Sequence, residues 1–170
     1  MYGVATITFA VYEDATEFVG VASATQPDIS SKTATINGAG IAGDVEVPLS
    51  AQIEAMSMEL TFHSYEKNIA KLMEPRRHKL ELREVVQYED PVRGELLSGS
   101  QKHVYVAVPK SATGGSVAPA TSGEVKIAFA VRSWTRYIDG KIDTEIDQLN
   151  GIYRINGIDY GASIRKALGK

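Results

Sequence analysis

Apolar and polar residues alternate along this chain in short runs, a pattern typical of β-strands with one buried face. Gly, Asn, Asp, Ser and Pro separate the runs, as expected for turns. Strands are predicted for residues 4–12, 17–24, 31–36, 55–62, 79–88, 103–108, 125–138, 141–149 and 153–155. The pattern therefore predicts a mainly β protein.

Two segments have helical spacing of their apolar residues. In residues 65–73 the apolar side chains fall on one face, Ser64 is the expected N-cap, and Pro75 follows the end. A helix this short is unstable alone and has to pack on a sheet. Residues 161–168 form a weaker candidate. The expected fold is a β-barrel or sandwich of antiparallel strands, with one flanking α-helix and a short C-terminal helical segment.

The length of 170 residues predicts a single domain spanning 1–170. Two stretches, at about 89–101 and 109–123, are rich in Gly, Pro and Ser and are expected to be long loops. Long loops inside a domain are often functional or become ordered against a partner. The alternative for residues 109–123 is a plain, flexible hairpin tip.

The composition favours a water-soluble protein. Apolar residues make up 44% and charged residues 23% of the chain, close to the average for globular domains. The net charge of −3 argues against a nucleic-acid-binding protein, which needs a clustered basic surface. No cysteine is present, which removes disulfides and thiolate chemistry. The first strand has no basic leader, so we expect folding in a cytoplasm and no membrane anchor.

A glycine motif, Gly38-Ala-Gly40-Ile-Ala-Gly43, has the spacing of a dinucleotide-binding loop. That function requires a helix that begins inside the motif and points its N-terminus at the phosphates. The following residues alternate like an extended strand instead, and Pro48 would interrupt a helix. The motif is better explained as a glycine-rich loop between two strands.

Neither catalysis nor metal binding is indicated by the other motifs. Ser64 and Lys67 have the spacing of a serine–lysine pair, but capping of the helix explains the serine. The histidines, His63, His78 and His103, occur singly and are expected at solvent or interfaces. We therefore expect no enzyme activity, no cofactor and no metal.

Four carboxylates lie close together in the segment RSWTRYIDGKIDTEID, residues 132–147. A calcium loop of the EF-hand type would need Gly and Glu where Gln148 and Arg154 stand. Asp139-Gly140 instead predicts a two-residue type I′ turn between two strands. The register from that turn pairs Arg136 with Asp143, Trp134 with Glu145 and Arg132 with Asp147 on one polar face. Glu145 then lacks a cationic partner and becomes a candidate contact with a neighbour.

The order of these motifs resembles the major tail tube protein of contractile-tailed phages. The resemblance rests on YIDGK at 137–141, EID at 145–147 and YRINGID at 153–159, followed by a short basic tail. Upstream, NGAGIAG at 37–43, MEL at 58–60 and the single helix occur in the same order. The resemblance covers about residues 30–170.

What the resemblance implies is a structural subunit of a phage or tailocin tail tube. Six subunits would form a ring, and the rings would stack into a hollow tube inside a contractile sheath. The expected partners are other copies of the chain, the sheath protein, the tape measure protein, the baseplate or tube initiator, and the tail terminator. DNA would pass during ejection without tight binding. The protein would reside in the virion tail, assembled in the bacterial cytoplasm.

The residues expected at contacts fall into two groups. The hairpin group sets the register and is a candidate contact with the lumen or a neighbouring subunit; it comprises Arg132, Trp134, Arg136, Asp143, Glu145 and Asp147. The candidate ring-contact loop comprises Gly38, Gly40 and Gly43.

Two other functions compete with the tube. A monomeric β-sandwich that binds carbohydrate or another ligand could use Trp134 and nearby tyrosines as a stacking platform. A hydrolase based on Asp and His is the third alternative, and no spacing favours it.

Overall fold

The computed structural model describes residues 2–170 as twelve strands and two short helices. The strands are all antiparallel where they pair. In chain order the elements are β1 (Tyr2–Glu13), β2 (Thr16–Phe18), β3 (Val21–Thr25), β4 (Ser31–Ile36), β5 (Val45–Ile53), β6 (Met56–Phe62), α1 (Ile69–Leu72), β7 (His78–Glu89), β8 (Leu96–Thr113), β9 (Val125–Ile138), β10 (Lys141–Asp147), β11 (Ile152–Ile155), β12 (Ile158–Asp159) and α2 (Ala162–Ala167).

Ten strands form one sheet, and β9 is the strand that the rest share. The order is β12-β11-β10-β9-β8-β7-β1-β2, and β6 and β3 extend from β9. One edge of β9 pairs with β8, while the other pairs first with β6 and then with β10. The strands β2 and β3 end the two branches and are separated by only Val19 and Gly20, but among residues 2–170 no ladder joins them. The mainly β fold is confirmed, and the barrel is not closed.

The hydrophobic core lies on one side of this sheet. Strand β6 and the first half of β9, residues 125–131, alternate buried and accessible residues, so each contributes every second side chain to the core. Helix α1 adds Ile69 and Leu72. The core consists of Val11, Phe18, Met56, Met58, Leu60, Phe62, Ile69, Leu72, Leu80, Leu82, Tyr105, Ala107, Val125, Ile127, Phe129, Val131, Trp134 and Ile146.

The first helix is much shorter than its sequence pattern predicts. It begins after Asn68, whose side chain makes no capping hydrogen bond, so the predicted cap at Ser64 is wrong. Four residues form barely one turn, and burial of Ile69 and Leu72 stabilises that turn where capping does not. The C-terminal segment is helical over Ala162–Ala167, close to its predicted bounds.

Strands take up part of each predicted long loop: about half of residues 89–101 and the first third of residues 109–123. Strands β7 and β8 continue as a hairpin to Glu89 and Leu96, which leaves only residues 90–95 as the connection. Strand β8 also continues to Thr113, which leaves residues 114–124 as the loop before β9. The sequence did not predict these strand residues because Gly, Ser and Pro have low strand propensity. In the structure, pairing with a long neighbouring strand overrides that propensity.

The far end of the β7–β8 hairpin extends beyond the core and is stiffened by one aromatic ring. Tyr88 lies across glycines on both neighbouring strands, Gly3 of β1 and Gly99 of β8. Its hydroxyl also accepts a hydrogen bond from Gln101 at 3.3 Å. A Cβ added to Gly99 would lie 2.5 Å from Tyr88 Cε2, whereas one on Gly3 would lie 3.7 Å from Cε1. The ring therefore needs glycine on one side only.

We expect Gly99→Ala to lower the free energy of unfolding by about 1–2 kcal/mol, because the Tyr88 ring must move and lose contacts. Gly3→Ala is the matched control under the same ring and should change stability by less than about 0.5 kcal/mol. Urea unfolding followed by circular dichroism measures both. Equal effects of the two variants would contradict the close approach of Tyr88 to Gly99.

Candidate functional site

The face of the sheet that points away from the core is accessible to solvent and crosses seven strands. Cross-strand partners share a face, so the register defines rows of neighbouring side chains. No member of the three central rows is buried. These rows, hereafter the open face, are Tyr12-Glu81-Val104-Thr135-Glu145-Arg154-Asp159, Ala10-Arg83-Lys102-Tyr137-Ile142 and Lys79-Val106-Ser133-Asp147-Ile152.

Arginines on the open face are paired with carboxylates. Arg83 Nε donates to Glu81 Oε1 at 2.5 Å, and its guanidinium lies 4.8 Å from the centre of the Tyr12 ring. Arg154 Nη1 donates to Glu145 Oε2 at 2.5 Å. Opposite charges are thus neighbours along β7, at Glu81 and Arg83, and across β10 and β11, at Glu145 and Arg154. The open face therefore combines many charged groups with little unpaired arginine charge.

Two further charged side chains of the open face, Lys102 and Asp159, also have partners. The Lys102 ammonium lies 4.4 Å from the centre of the Tyr137 ring, a cation–π contact. Asp159 accepts a hydrogen bond from Arg165 of α2 at 2.7 Å and lies 3.9 Å from Arg154. The hydrogen bond from Arg165 holds the pKa of the Asp159 carboxyl below its usual value.

On the core side of the same strands, a buried histidine joins two polar partners. Trp134 Nε1 donates to His103 Nδ1 at 3.3 Å, so Nδ1 carries no proton. The proton then lies on Nε2, which is 3.2 Å from Glu84 Oε1 and donates to it. Burial lowers the pKa of His103, which favours this neutral form. Beside it, burial raises the pKa of Tyr105, whose hydroxyl has no partner within residues 2–170.

A second buried histidine ties β1 to the start of β7. His78 Nδ1 lies 2.7 Å from Glu13 Oε1, and Nε2 lies 3.0 Å from the carbonyl oxygen of Glu74. Arg76 also donates to the Glu13 carboxylate at 3.1 Å. The sequence placed His78 and His103 at solvent or interfaces, and that expectation is wrong. Both rings are buried because a carboxylate from a neighbouring strand satisfies them.

The predicted hairpin register holds only next to its turn. Asp139 and Gly140 both have positive φ, 46° and 80°, as a type I′ turn requires. Ile142 still faces Tyr137, but Asp143 forms a bulge, so Arg136 faces Thr144. The bulge shifts every later pair by one residue.

This shift changes the surroundings of each predicted contact residue. Arg136 still binds Asp143, which also accepts a hydrogen bond from buried Thr144. Arg136 holds the pKa of Asp143 below its usual value. The predicted pairs of Trp134 with Glu145 and Arg132 with Asp147 are wrong.

The remaining members of the hairpin group separate into different environments. Trp134 faces Ile146 and is only 4% exposed, which removes it as a stacking platform for carbohydrate. Glu145 has the cationic partner, Arg154, that the sequence did not identify. Asp147 accepts the backbone amides of Leu149 and Asn150 at the next turn. Arg132 is exposed.

The two strands β4 and β5 form an arm that is separate from the ten-stranded sheet. Its residues are exposed along nearly their whole length. The tip, residues 37–44, contains Gly38, Gly40 and Gly43, all with positive φ. A strand follows the glycines, so the interpretation as a strand-to-strand loop is confirmed. A Cβ on any of the three would meet nothing within 4 Å, which means that backbone conformation is what requires glycine.

The base of the arm is irregular. Ser31 pairs with Ile53 and Thr33 with Pro48, so residues 49–52 bulge out of the ladder. Within the bulge Ala51 has φ 53°. Three cavities of about 350, 360 and 370 Å³ lie beside it, against residues of β10, β11, α2 and the turns between them. Gln148 Nε2 donates to the carbonyl oxygen of Glu54 at 2.8 Å and connects the arm base to the body.

Two kinds of site are not found among residues 2–170, a metal-binding cluster and a membrane-spanning helix. Within this range no three His, Asp or Glu side chains are grouped so that they could hold a metal ion. No helix in the same range is long and apolar enough to cross a membrane. The buried carboxylate–histidine pairs were missed in the sequence because their members lie 65 and 19 residues apart. The open face and the arm are thus the candidate functional surfaces.

Comparison with known proteins gives a consistent picture. Residues 6–169 match the family model described as phage tail tube protein FII. No curated protein matches the chain. A sheath/tube terminator of an extracellular contractile injection system, PVC, aligns with TM-score 0.58 and 14% identity, over 81% of this chain and 98% of that one.

Two further structures have the same fold. A chain of the PVC sheath–tube complex in the extended state aligns with TM-score 0.54 and 14% identity, over 76% of this chain and 88% of that one. The tube-terminating cap of the anti-feeding prophage aligns with TM-score 0.56 and 17% identity, over 81% of this chain and 93% of that one.

The bulged hairpin predicts which charge pair is energetically coupled. In a double-mutant cycle, Arg136→Gln and Asp143→Asn should show a coupling of roughly 0.5–1 kcal/mol in the free energy of unfolding, because the two side chains are in contact. The matched control is Arg132→Gln with Asp147→Asn, the pair of the unbulged register, which should show none. Urea denaturation of the variants measures both cycles, and the reverse result would contradict the bulge at Asp143.

Burial of neutral His103 predicts a loss of stability in mild acid. Above the unfolded pKa of about 6.5 the histidine is neutral in both states, and its contribution is complete. As the pH falls from there towards the lowered folded pKa, the unfolded state takes up the proton first and the free energy of unfolding falls. Thermal unfolding between pH 8 and 4 should show a weaker pH dependence for His103→Gln than for the unmodified chain. Identical curves would contradict a neutral, desolvated His103.

Proposed function

Because the chain belongs to the phage tail tube protein FII family and is a structural tail tube protein, not an enzyme, we propose that six copies form a ring and that rings stack into a hollow tube. The tube lies inside a contractile sheath and conducts DNA during ejection. The single observation that carries this proposal is the open ten-stranded sheet, whose edge at β1 is unpaired from Tyr2 to Ala10 within the described chain.

An unpaired strand edge favours association with another copy. The outer edge of β1 is long, and exposed Tyr2, Val4 and Ile7 lie along it. The opposite end of the sheet is the short strand β12. Two different edges that pair in a head-to-tail manner produce a ring when the rotation between copies closes. Ring formation would satisfy the free backbone groups and cover the apolar side chains together.

The two faces of the sheet differ in a way that suits the inside and the outside of such a ring. The hydrophobic core, with the buried Ile69 and Leu72 of α1, adds thickness on one face. In a closed ring the thicker layer needs the larger circumference, so it belongs outside. The open face then lines the channel, and Glu145 with Arg154 is part of that lining. Trp134 lies in the core of its own subunit.

The arm is the proposed contact between stacked rings. Its apolar side chains Ile36, Val45 and Val47 are 38–47% exposed, although they alternate as in a strand that packs on something. The tip glycines Gly38, Gly40 and Gly43 leave the backbone free to approach a neighbour. We propose that the arm packs on the adjacent ring through these residues.

The remaining proposed partners follow from the position of a tube in a tail. Similar structures are described as a sheath–tube complex and as tube terminators or caps, which supports contacts with the sheath along the outside and with a terminator at one end. A tape measure protein in the lumen and a baseplate or initiator protein at the other end complete the set. Assembly takes place in the host cytoplasm, and the product is part of the virion tail.

Assembly of the purified protein tests this proposal. Negative-stain electron microscopy and light scattering should detect six-membered rings or tubes, and a stable monomer of 18.4 kDa at high concentration would contradict it. Replacement of residues 34–47 by Asn-Gly keeps the pair of Thr33 and Pro48 and shortens the arm. This variant should still form rings but should lose stacking.

The control for the shortened arm is Val92→Ser, which removes an exposed apolar side chain from a different loop. It should stack like the unmodified chain. Normal tube lengths for the shortened arm would show that the arm is not the stacking contact.

A further inference from the structure

The open face has a charge arrangement that stability alone does not explain. Its two arginines, Arg83 and Arg154, each bind a carboxylate on the same face at 2.5 Å. The side chain of Arg83 is 60% exposed and that of Arg154 is 38% exposed. Ion pairs this accessible contribute little to the free energy of folding. Their main consequence is therefore the electrostatic surface that they present.

A free guanidinium on this surface would bind DNA. Arginine donates two parallel hydrogen bonds to a phosphate, and a ring repeats each arginine in every subunit along the path of the DNA. Contacts that are weak singly become strong when they are repeated on one rigid wall. A channel lined in this way would retain DNA.

Each acidic partner holds one donor nitrogen of its arginine and compensates the positive charge that would attract a phosphate. Glu81 holds Arg83 Nε, and the guanidinium also lies on the Tyr12 ring. Glu145 holds Arg154 Nη1, and Asp159 lies 3.9 Å from the same guanidinium. Because these acids lie on the same or the adjacent strand, they do not diffuse away when DNA approaches.

The two lysines of the open face, Lys102 and Lys79, also have neighbours that reduce their attraction for phosphate. Lys102 lies on the Tyr137 ring. Lys79 lines a shallow cavity of about 220 Å³ together with Asp14, Glu81 and Arg83. Lysine, moreover, presents a point charge without the two-pronged geometry of arginine. Removal of the carboxylate partners of the two arginines would therefore raise the affinity of the open face for phosphate most.

We propose that Glu81 and Glu145 are masking residues, which hold Arg83 and Arg154 so that the channel wall does not bind the phosphates of double-stranded DNA. This role rests on the proposed function, in which the open face lines the channel. It assigns to two carboxylates the non-adhesive character of the wall, and it explains why arginines are tolerated there.

The test is the affinity of a short DNA duplex for Glu81→Gln/Glu145→Gln. Gln keeps the shape of the side chain and removes its charge. We expect at least about tenfold tighter binding at low salt than for the unmodified chain, with a steeper dependence on salt concentration as phosphate contacts are added. The matched control is Glu17→Gln, which removes an acidic charge next to Tyr12 without releasing an arginine. The control should bind DNA like the unmodified chain.

Restoration by a second substitution separates masking from misfolding. Adding Arg83→Gln and Arg154→Gln to the double variant should return DNA binding to the level of the unmodified chain. Equal binding by the double variant and Glu17→Gln would overturn the proposal. So would tight binding that persists after both arginines are removed.

The same measurement on dispersed protomers and on assembled tubes distinguishes this proposal from the proposed function. The open face is accessible in the protomer, so masking is testable even if no tube forms. Failure to assemble would contradict the tube and leave the protomer result to decide on masking. Tubes whose DNA binding is unchanged in the double variant would support assembly and refute masking.

Discussion

The backbone pairing of β9 is the constraint on which the rest of this structure depends. One long strand, Val125–Ile138, satisfies β8 on one edge and two different strands, β6 and β10, on the other. Its first half places Val125, Ile127, Phe129 and Val131 in the core, and its second half carries Trp134. Because all these strands are tied to one backbone, the alternation of faces is continuous across the sheet. Because of that continuity, one face of the sheet is buried and apolar and the other is accessible and charged.

Irregularities in the ladder are where polar groups become useful. The bulge at Asp143 places the buried hydroxyl of Thr144 opposite Arg136 while the Asp143 carboxylate still binds the same arginine. The buried histidines solve the related problem of polar groups inside the core, since each finds a carboxylate from another strand. Burying an unpaired polar group at these positions would cost several kcal/mol because it loses its hydration. That cost is comparable to the whole free energy of unfolding of a small domain. These contacts fix the register as much as they stabilise the fold.

The fold also accounts for a structural role without chemistry. Most of the charged groups of the open face are matched to one another, and an unpaired strand edge and an exposed arm are left over. Surfaces of this kind are incomplete in an isolated subunit, because exposed backbone groups and apolar side chains favour contact with further copies. The unpaired edge and the exposed arm are the surfaces through which we propose that copies of the chain assemble.

The sequence by itself determined the strand content, the turn at Asp139-Gly140 and the nature of the glycine loop. These features are local: they depend on period-two alternation and on residues that tolerate positive φ. It predicted Ser31–Ile36 and Val125–Ile138 with the bounds they have in the structure. Only the tertiary structure decided the bulge at Asp143, the burial of Trp134, His78 and His103, and the partner of Glu145. Each of these depends on a strand distant in sequence, whose register sets both the face on which a side chain lies and the charge that it meets.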